Sequence, residues 1–357
     1  RDDAGRDVTD LVRDRDGRYL DTFALGDYQG LARDHWVELD LGPTLDALAD
    51  EGIGGGDAIG ADGAGGLEAR GPRNDSRDGP LVLLAQGWIY PTDSSINVAI
   101  GQGRAAAPSP LVIEIPNGAS GWRPAGAPLG FPAGKHKSML IDLAGLDPDG
   151  GPAPRRLRLR TNLEIYWDHL ALAARVPDAS LRITELAPDR ADLAYRGFSV
   201  TSHFGTADPA PRRRPEIPLY DRIAARRPQW IDLGGYYTRF GDVRDLLAHT
   251  DDRTVILNAG DEIRLSFPVP PGPPAGWARR FVFVSDGWEK DGDLNTAYGA
   301  TVLPLPSHDQ PQYADPAVRG PVGNLTDDPV YRRFPEDWQT YHTRYVSQQR
   351  WPNPLYR

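Results

Sequence analysis

The densest set of chemically capable groups in this chain follows Trp88. Within ten residues it sets out Trp88, Tyr90, Thr92, Asp93, Ser94, Ser95 and Asn97, an aromatic pair beside hydroxyl, carboxylate and amide groups. Sugar sites in β-sandwiches stack the pyranose ring on an aromatic face and hold its hydroxyls with Asp and Asn side chains. Trp88, Tyr90, Asp93 and Asn97 are therefore the candidate ligand-binding residues. The same residues admit a structural role, in which Trp88 plugs the core and the Asp, Ser and Thr side chains cap a turn.

A second set is Asp291-Gly-Asp293-Leu-Asn295, with carboxylates at alternate positions and a glycine for the bend. It resembles a calcium turn, although a complete loop brings about six or more oxygens and this one brings side-chain oxygens from three residues. A solvated turn is the more common explanation of such a run; Ca2+ is the one cofactor candidate, with Asp291, Asp293 and Asn295 as its ligands. Asp14-Arg-Asp16-Gly17 with Asp21 is a similar partial match. There is no His-Glu-x-x-His zinc helix, no Gly-x-Ser-x-Gly elbow and no phosphate loop. The seven histidines (His35, His136, His169, His203, His249, His308 and His342) show no ligand spacing. Cysteine is absent, which excludes disulfides, thiolate nucleophiles and Cys-ligated metals.

The elements that must position these groups are strands. The chain has 39 Gly and 34 Pro, too many for a helical bundle and suited to short strands joined by loops. Nine Trp and 14 Tyr supply enough aromatic surface for a packed core. A net charge of −10 opposes a nucleic-acid partner, which needs a basic footprint. No apolar run reaches the length of a membrane span. The chain opens at Arg1 and its single Met is Met139, so a processed product, or part of a larger chain or assembly, is expected.

The clearest strand is Arg156-Leu-Arg-Leu-Arg-Thr161, whose arginines alternate with Leu157 and Leu159. The apolar parity continues through Leu163, Ile165 and Trp167, then shifts to Leu170 and Leu172. Such a shift requires a bulge or turn near Asp168–His169. Glu164, Tyr166 and Asp168 fall on the arginine face, where cross-strand ion pairing is expected. Other strands are expected at 36–41, 81–86, 96–101, 111–115, 138–143 and 163–167, with two more in 181–200. Helical spacing marks 219–226 and 242–249, strands return at 254–258, 261–267 and 279–285, and a helix is expected at 336–349. Leu81–Gly101 and Phe281–Gly299 also look like two copies of one element: an apolar run, Gly-Trp, four residues, an Asp and a nearby Asn.

The organisation that follows is an N-terminal segment over 1–27 and a jelly-roll-like β-sandwich over 28–200. A flexible Gly-rich insertion at 42–80 interrupts the sandwich. A Pro/Arg-rich linker at 201–218 then leads to a second β-rich domain at 219–357, with a few short helices, a C-terminal helix and a tail. The fold class is mainly β.

Several islands carry a family resemblance: Asp16-Gly-Arg-Tyr19, His35-Trp-Val-Glu-Leu-Asp-Leu-Gly42, Gly87-Trp-Ile-Tyr-Pro-Thr-Asp-Ser-Ser-Ile-Asn97, Thr161-Asn-Leu-Glu-Ile-Tyr-Trp-Asp168 and Asp286-Gly-Trp-Glu-Lys-Asp-Gly-Asp-Leu-Asn295. Together they resemble the C-terminal region of bacterial FG-GAP repeat proteins with an ASPIC/UnbV segment, the cartilage-acidic-protein-like group. The Asp-rich propeller repeat itself has no counterpart here. The resemblance implies a periplasmic or extracellular setting and transfers no catalytic residue. The 36–41 and 156–167 strands also look like parts of a galactose-binding-like jelly roll.

The expected function is non-enzymatic binding or assembly outside the cytoplasm, with a glycan or a protein as partner and no nucleic acid. One alternative is a polysaccharide-acting hydrolase or lyase using two of Asp93, Asp168, Asp291 and Asp293, which requires two carboxyls about 5–10 Å apart. Another is a structural subunit of a larger surface or membrane-associated complex.

Overall fold

The computed structural model describes residues 1–50, 81–104, 106–118, 121–134, 136–143, 146, 154–174, 181–203, 216–227, 232–290, 292, 295–296, 298–308 and 325–348. The chain is mainly β, 37% strand against 13% helix, with several antiparallel sheets and five short helices. It divides into two compact units, residues 1–182 with 201–217, and residues 183–200 with 218–357.

The first unit carries two antiparallel sheets. One is ordered β1 (Leu31–Asp40), β6 (Arg156–Leu163), β3 (Leu111–Asn117), β4 (Gly121–Leu129). The other is ordered β5 (Lys137–Asp142), β2 (Leu81–Ile89), β7 (Ile165–Ala174). Both sheets contribute to one apolar core, with Val37, Ile113, Leu157 and Leu159 from the first and Leu83, Ala85, Ile165 and Trp167 from the second. The alternation of β6 explains this: Leu157 and Leu159 are buried, while the arginines between them face away from the core. Those arginines pair across the sheet. Arg156 and Arg158 hold Glu38, and Arg160 holds Asp34 and Glu114. The Arg158 guanidinium also lies 4.8 Å from the Trp36 ring centre and 3.9 Å from that of Trp122, so charge and ring faces are interleaved on this surface.

Three local expectations for this unit change. Residues 96–101 form not a strand but part of helix α3 (Ser94–Gly101), after the four-residue α1 (Thr9–Val12) and α2 (Gly42–Asp50). The reason is Asp93, whose carboxylate accepts the Ile96 amide at 2.7 Å and satisfies one of the donors that a helix start leaves open. The 42–80 insertion begins as ordered helix, with Arg155 bidentate to Asp46 at 2.9 and 2.5 Å; residues 51–80 lie outside the described residues. Glu164 accepts the Gly30 amide and the Tyr166 hydroxyl, and Asp168 the Gly17 amide, and these partners define the site described below.

The second unit contains the three-stranded sheet β12 (Gly241–Asp242), β8 (Arg190–Tyr195), β13 (Asp261–Ser266), and the pair β11 (Gly235–Tyr237) with β14 (Arg344–Val346). β9 (Phe198–His203) and β10 (Glu216–Ala225) pair in a two-stranded ribbon. Helical spacing at 219–226 was thus overridden: the segment is strand, with Tyr220 and Ile223 exposed. At 242–249 only a short 3-10 turn forms, Arg244–Leu246. Residues 254–258 and 279–285 are not strands, and the expected C-terminal helix is shorter. Within it only α5 (Pro335–Thr340) forms, following a separate α4 (Pro329–Arg333), because residues 344–346 are taken up by pairing with β11. Asp328 caps α4 through Val330 N at 2.9 Å and also accepts Leu305 N at 2.9 Å, tying the helix to the core of Tyr237, Val302, Leu305, Val330 and Trp338.

The two Gly-Trp elements are not equivalent. Trp88 ends a strand and is 4% exposed; Trp288 lies outside any strand and is 51% exposed. A Cβ on Gly87 would sit 2.3 Å from the Tyr166 carbonyl oxygen, whereas one on Gly287 would meet nothing within 4 Å. Gly87 is imposed by a close backbone approach, and Gly287 by nothing comparable.

Candidate functional site

In the first unit, the buried polar side chains of Gln86, Glu164, Asp168 and His169 gather where β7 pairs with β2. Their register runs Gly87↔Trp167 and then Gln86↔His169, so Asp168 has no opposite residue and forms a bulge. This is the parity shift expected near Asp168–His169. A bulge re-aims side chains, and here the N-terminal segment meets them. The Asp168 carboxylate is fully buried: Oδ1 accepts the Gly17 amide at 2.8 Å and Oδ2 lies 3.1 Å from His136 Nε2. His136 reaches it from a turn where it adopts φ +48°. His169 Nδ1 lies 2.7 Å from the Arg13 carbonyl oxygen, and Arg15 donates to the Gln86 side chain.

Four residues earlier, between β6 and β7, Glu164 is also fully buried. Its Oε2 accepts the Gly30 amide at 2.9 Å and its Oε1 accepts the Tyr166 hydroxyl at 2.5 Å. Around these carboxylates stands an aromatic group. Trp88 stacks on Tyr166 at 5.1 Å and 17°, with Tyr90 edge-on at 5.6 Å and Tyr19 edge-on at 6.4 Å. Phe23 packs on Tyr166 at 5.2 Å and stacks on His35 at 4.4 Å. Burial lowers the His35 imidazole below its ordinary 6.5, which favours the neutral ring in this stack.

The four candidate ligand-binding residues occupy distinct positions around this region. Trp88 is buried, with one face on Tyr166. Tyr90 is half-buried against it. Asp93 is exposed and caps α3, and Asn97 is exposed and accepts the Thr92 hydroxyl at 2.8 Å. Of the candidate calcium ligands, Asn295 is exposed, and Asp291 and Asp293 lie outside the described residues. Among the described residues no group of three or more His, Asp or Glu side chains is arranged to hold a metal. Asp16, from the other partial match, instead accepts the Arg18 amide at 2.9 Å and pairs with its guanidinium.

The second unit holds a separate ionic cluster. His308 bridges two carboxylates, with Nδ1 2.8 Å from Asp252 and Nε2 2.7 Å from Asp286. Asp252 is buried and also accepts the Ser307 hydroxyl, the His308 amide and the Arg333 guanidinium. The hydrogen bonds that His308 donates to Asp286 and then to Asp252 raise its pKa above its ordinary 6.5. Nearby in sequence, Lys290 Nζ donates to the Thr301 carbonyl at 2.6 Å and to that of Leu303, and burial lowers its pKa to about 8. Preceding this cluster, Phe281, Val282, Phe283 and Val284 are 69%, 83%, 67% and 84% exposed.

Sequence reasoning missed His136, Glu164 and Asp168 as one constellation, as well as the His308 bridge. The only signal available was the parity change at Asp168. Nothing local marks His136 or Gly17 as its partners, since both are distant in the chain. Comparison with protein-family models, curated proteins and solved structures finds no match to this chain.

Proposed function

We propose that this chain is a non-enzymatic binding or assembly protein whose partner is another polypeptide, acting outside the cytoplasm. The observation that carries this reading is the run Phe281–Val284, four consecutive large apolar side chains that are each about two-thirds or more exposed. Single exposed apolar residues are ordinary; a continuous β-type run of them is the composition that a partner covers. The extracytoplasmic setting rests on the resemblance to FG-GAP/ASPIC-UnbV tails. The two antiparallel sheets sharing one core support a jelly-roll-like, galactose-binding-like sandwich in the first unit. A glycan platform on Trp88 has less support, because that ring already stacks on Tyr166. A hydrolytic role is also less supported, since Asp168 is engaged by Gly17 and His136, and Asp93 by a helix start.

The absence of cysteine makes the test clean. Single cysteines at Val282 and, as a reference, at exposed Asp3 are labelled with a maleimide in native extract and after purification. Protection of position 282 in extract, lost on purification while position 3 labels equally in both, is the expected result. Equal labelling of position 282 in both settings defeats the reading.

A further inference from the structure

The outer surface of β2 and β7 has the composition of a ligand site, and the chain's own N-terminal segment fills it. Beneath residues 13–30 lie two fully buried carboxylates, Glu164 and Asp168, together with Gln86, His169 and the Trp88–Tyr166 stack. A surface that only needed covering would have been apolar, like the opposite face of the same strands, which presents Leu83, Ala85, Ile165 and Trp167 to the core. Apolar walls with a few convergent polar groups are the mark of a recognition site.

The segment meets this surface as a peptide ligand would. Two glycine amides point at the two carboxylates, Gly17 at Asp168 and Gly30 at Glu164. The Leu20 amide donates to the Trp167 carbonyl at 2.7 Å, pairing the segment with β7 through an isolated antiparallel bridge. Tyr19, Leu20 and Phe23 are buried as anchors, while Arg13, Asp14, Arg15, Asp16 and Arg18 are exposed. Residues 13–30 form no strand or helix of their own. Their hold combines the two charge-assisted glycine amides and three buried side chains with hydrogen bonds at Arg13, Arg15, Leu20, Ala24 and Gln29, supported by the high effective concentration of a tethered segment.

We propose that the β2/β7 outer face is a peptide-recognition site, occupied in cis by residues 13–30 and able to accept the same segment from a second copy of this chain in exchange. Recognition chemistry consists of peptide N–H groups donated to Glu164 and Asp168, and an aromatic anchor lodged against Trp88. This site is separate from the exposed run of the second unit, so the failure of either proposal leaves the other standing.

The test uses Gly17→Pro in the full chain. Gly17 has φ +74° and its amide serves Asp168; proline has no amide hydrogen and fixes φ near −65°, so the cis segment is released at that point. A fluorescent peptide of residues 13–30 is then titrated into the variant and into the wild type. The expected result is micromolar binding to the variant and at least about tenfold weaker binding to the wild type, where the tethered copy competes. A folded variant that does not bind the peptide overturns the proposal. Should the variant not fold, amide exchange on the wild-type chain decides. Gly17, Leu20 and Gly30 amides are expected to exchange by local opening, at least about tenfold faster than those of Leu83 and Leu159. Exchange of both sets at the same, globally limited rate overturns it.

Discussion

Glu164 offers the sharpest test of how the first unit is held together. Its carboxylate is fully buried and accepts two donors, the Gly30 amide at 2.9 Å and the Tyr166 hydroxyl at 2.5 Å. Hydrogen bonds to a charged acceptor contribute about 1.5–3 kcal/mol each. Glu164→Ala removes both and leaves the buried Gly30 amide without its carboxylate, so a loss of roughly 3–5 kcal/mol is expected. Glu164→Gln keeps the shape and one acceptor oxygen. Neutral hydrogen bonds are about half as strong as charge-assisted ones, so roughly 2 kcal/mol is expected for the isostere. The assay is urea unfolding followed by hydrogen exchange resolved to peptides of the first unit, because two compact units need not unfold in one step. The Trp88–Tyr166 stack provides a parallel near-ultraviolet dichroism signal. An alanine variant within about 1 kcal/mol of wild type would refute the reasoning, since that is the scale of one ordinary hydrogen bond. A glutamine variant as damaged as alanine would also refute it, because shape and a remaining acceptor would then count for nothing.

Three further outcomes are expected. Gly87→Ala should cost about 1–3 kcal/mol or more through its 2.3 Å clash with the Tyr166 carbonyl, while Gly287→Ala should stay within about 0.5 kcal/mol, both read from denaturant midpoints. His342 is buried, with Thr238 Oγ1 3.0 Å from its Nδ1, and burial lowers its pKa from 6.5 to about 4. The unfolded state therefore binds the extra proton first, so second-unit stability should fall as pH drops from 6.5 to 4, by about 3 kcal/mol in full, and His342→Gln should flatten that slope. Lys290 works at the other end of the scale. With its pKa lowered from 10.5 to about 8, the unfolded state again holds more protons in between, so stability should rise over that window, and Lys290→Met should abolish the rise in pH-dependent melting.

Features that depend on neighbours a few residues away were legible in the order of residues alone. The alternation of Arg156, Arg158 and Arg160 with Leu157 and Leu159 carried the strand, its buried face and its ionic face, since strand periodicity is a local property. The shift of apolar parity after Trp167 likewise announced the bulge that the β2–β7 register contains. Local spacing misled where two local solutions compete. Ile96, Val98 and Ile100 alternate like a strand, but the Asp93 cap turns the segment into helix; Leu219–Arg226 has helical spacing, yet the segment pairs as β10. The partners of the buried carboxylates emerged from the folded chain. Asp168 and Glu164 were placed beside the arginine ladder by parity, but their hydrogen bonds come from Gly17 and Gly30, 151 and 134 positions away. The fold also decided that Trp88 is enclosed while Trp288 is half exposed, though both follow a glycine after an apolar run. A buried charge must find donors somewhere, and which donors it finds depends on the path of the whole chain, not on the residues beside it.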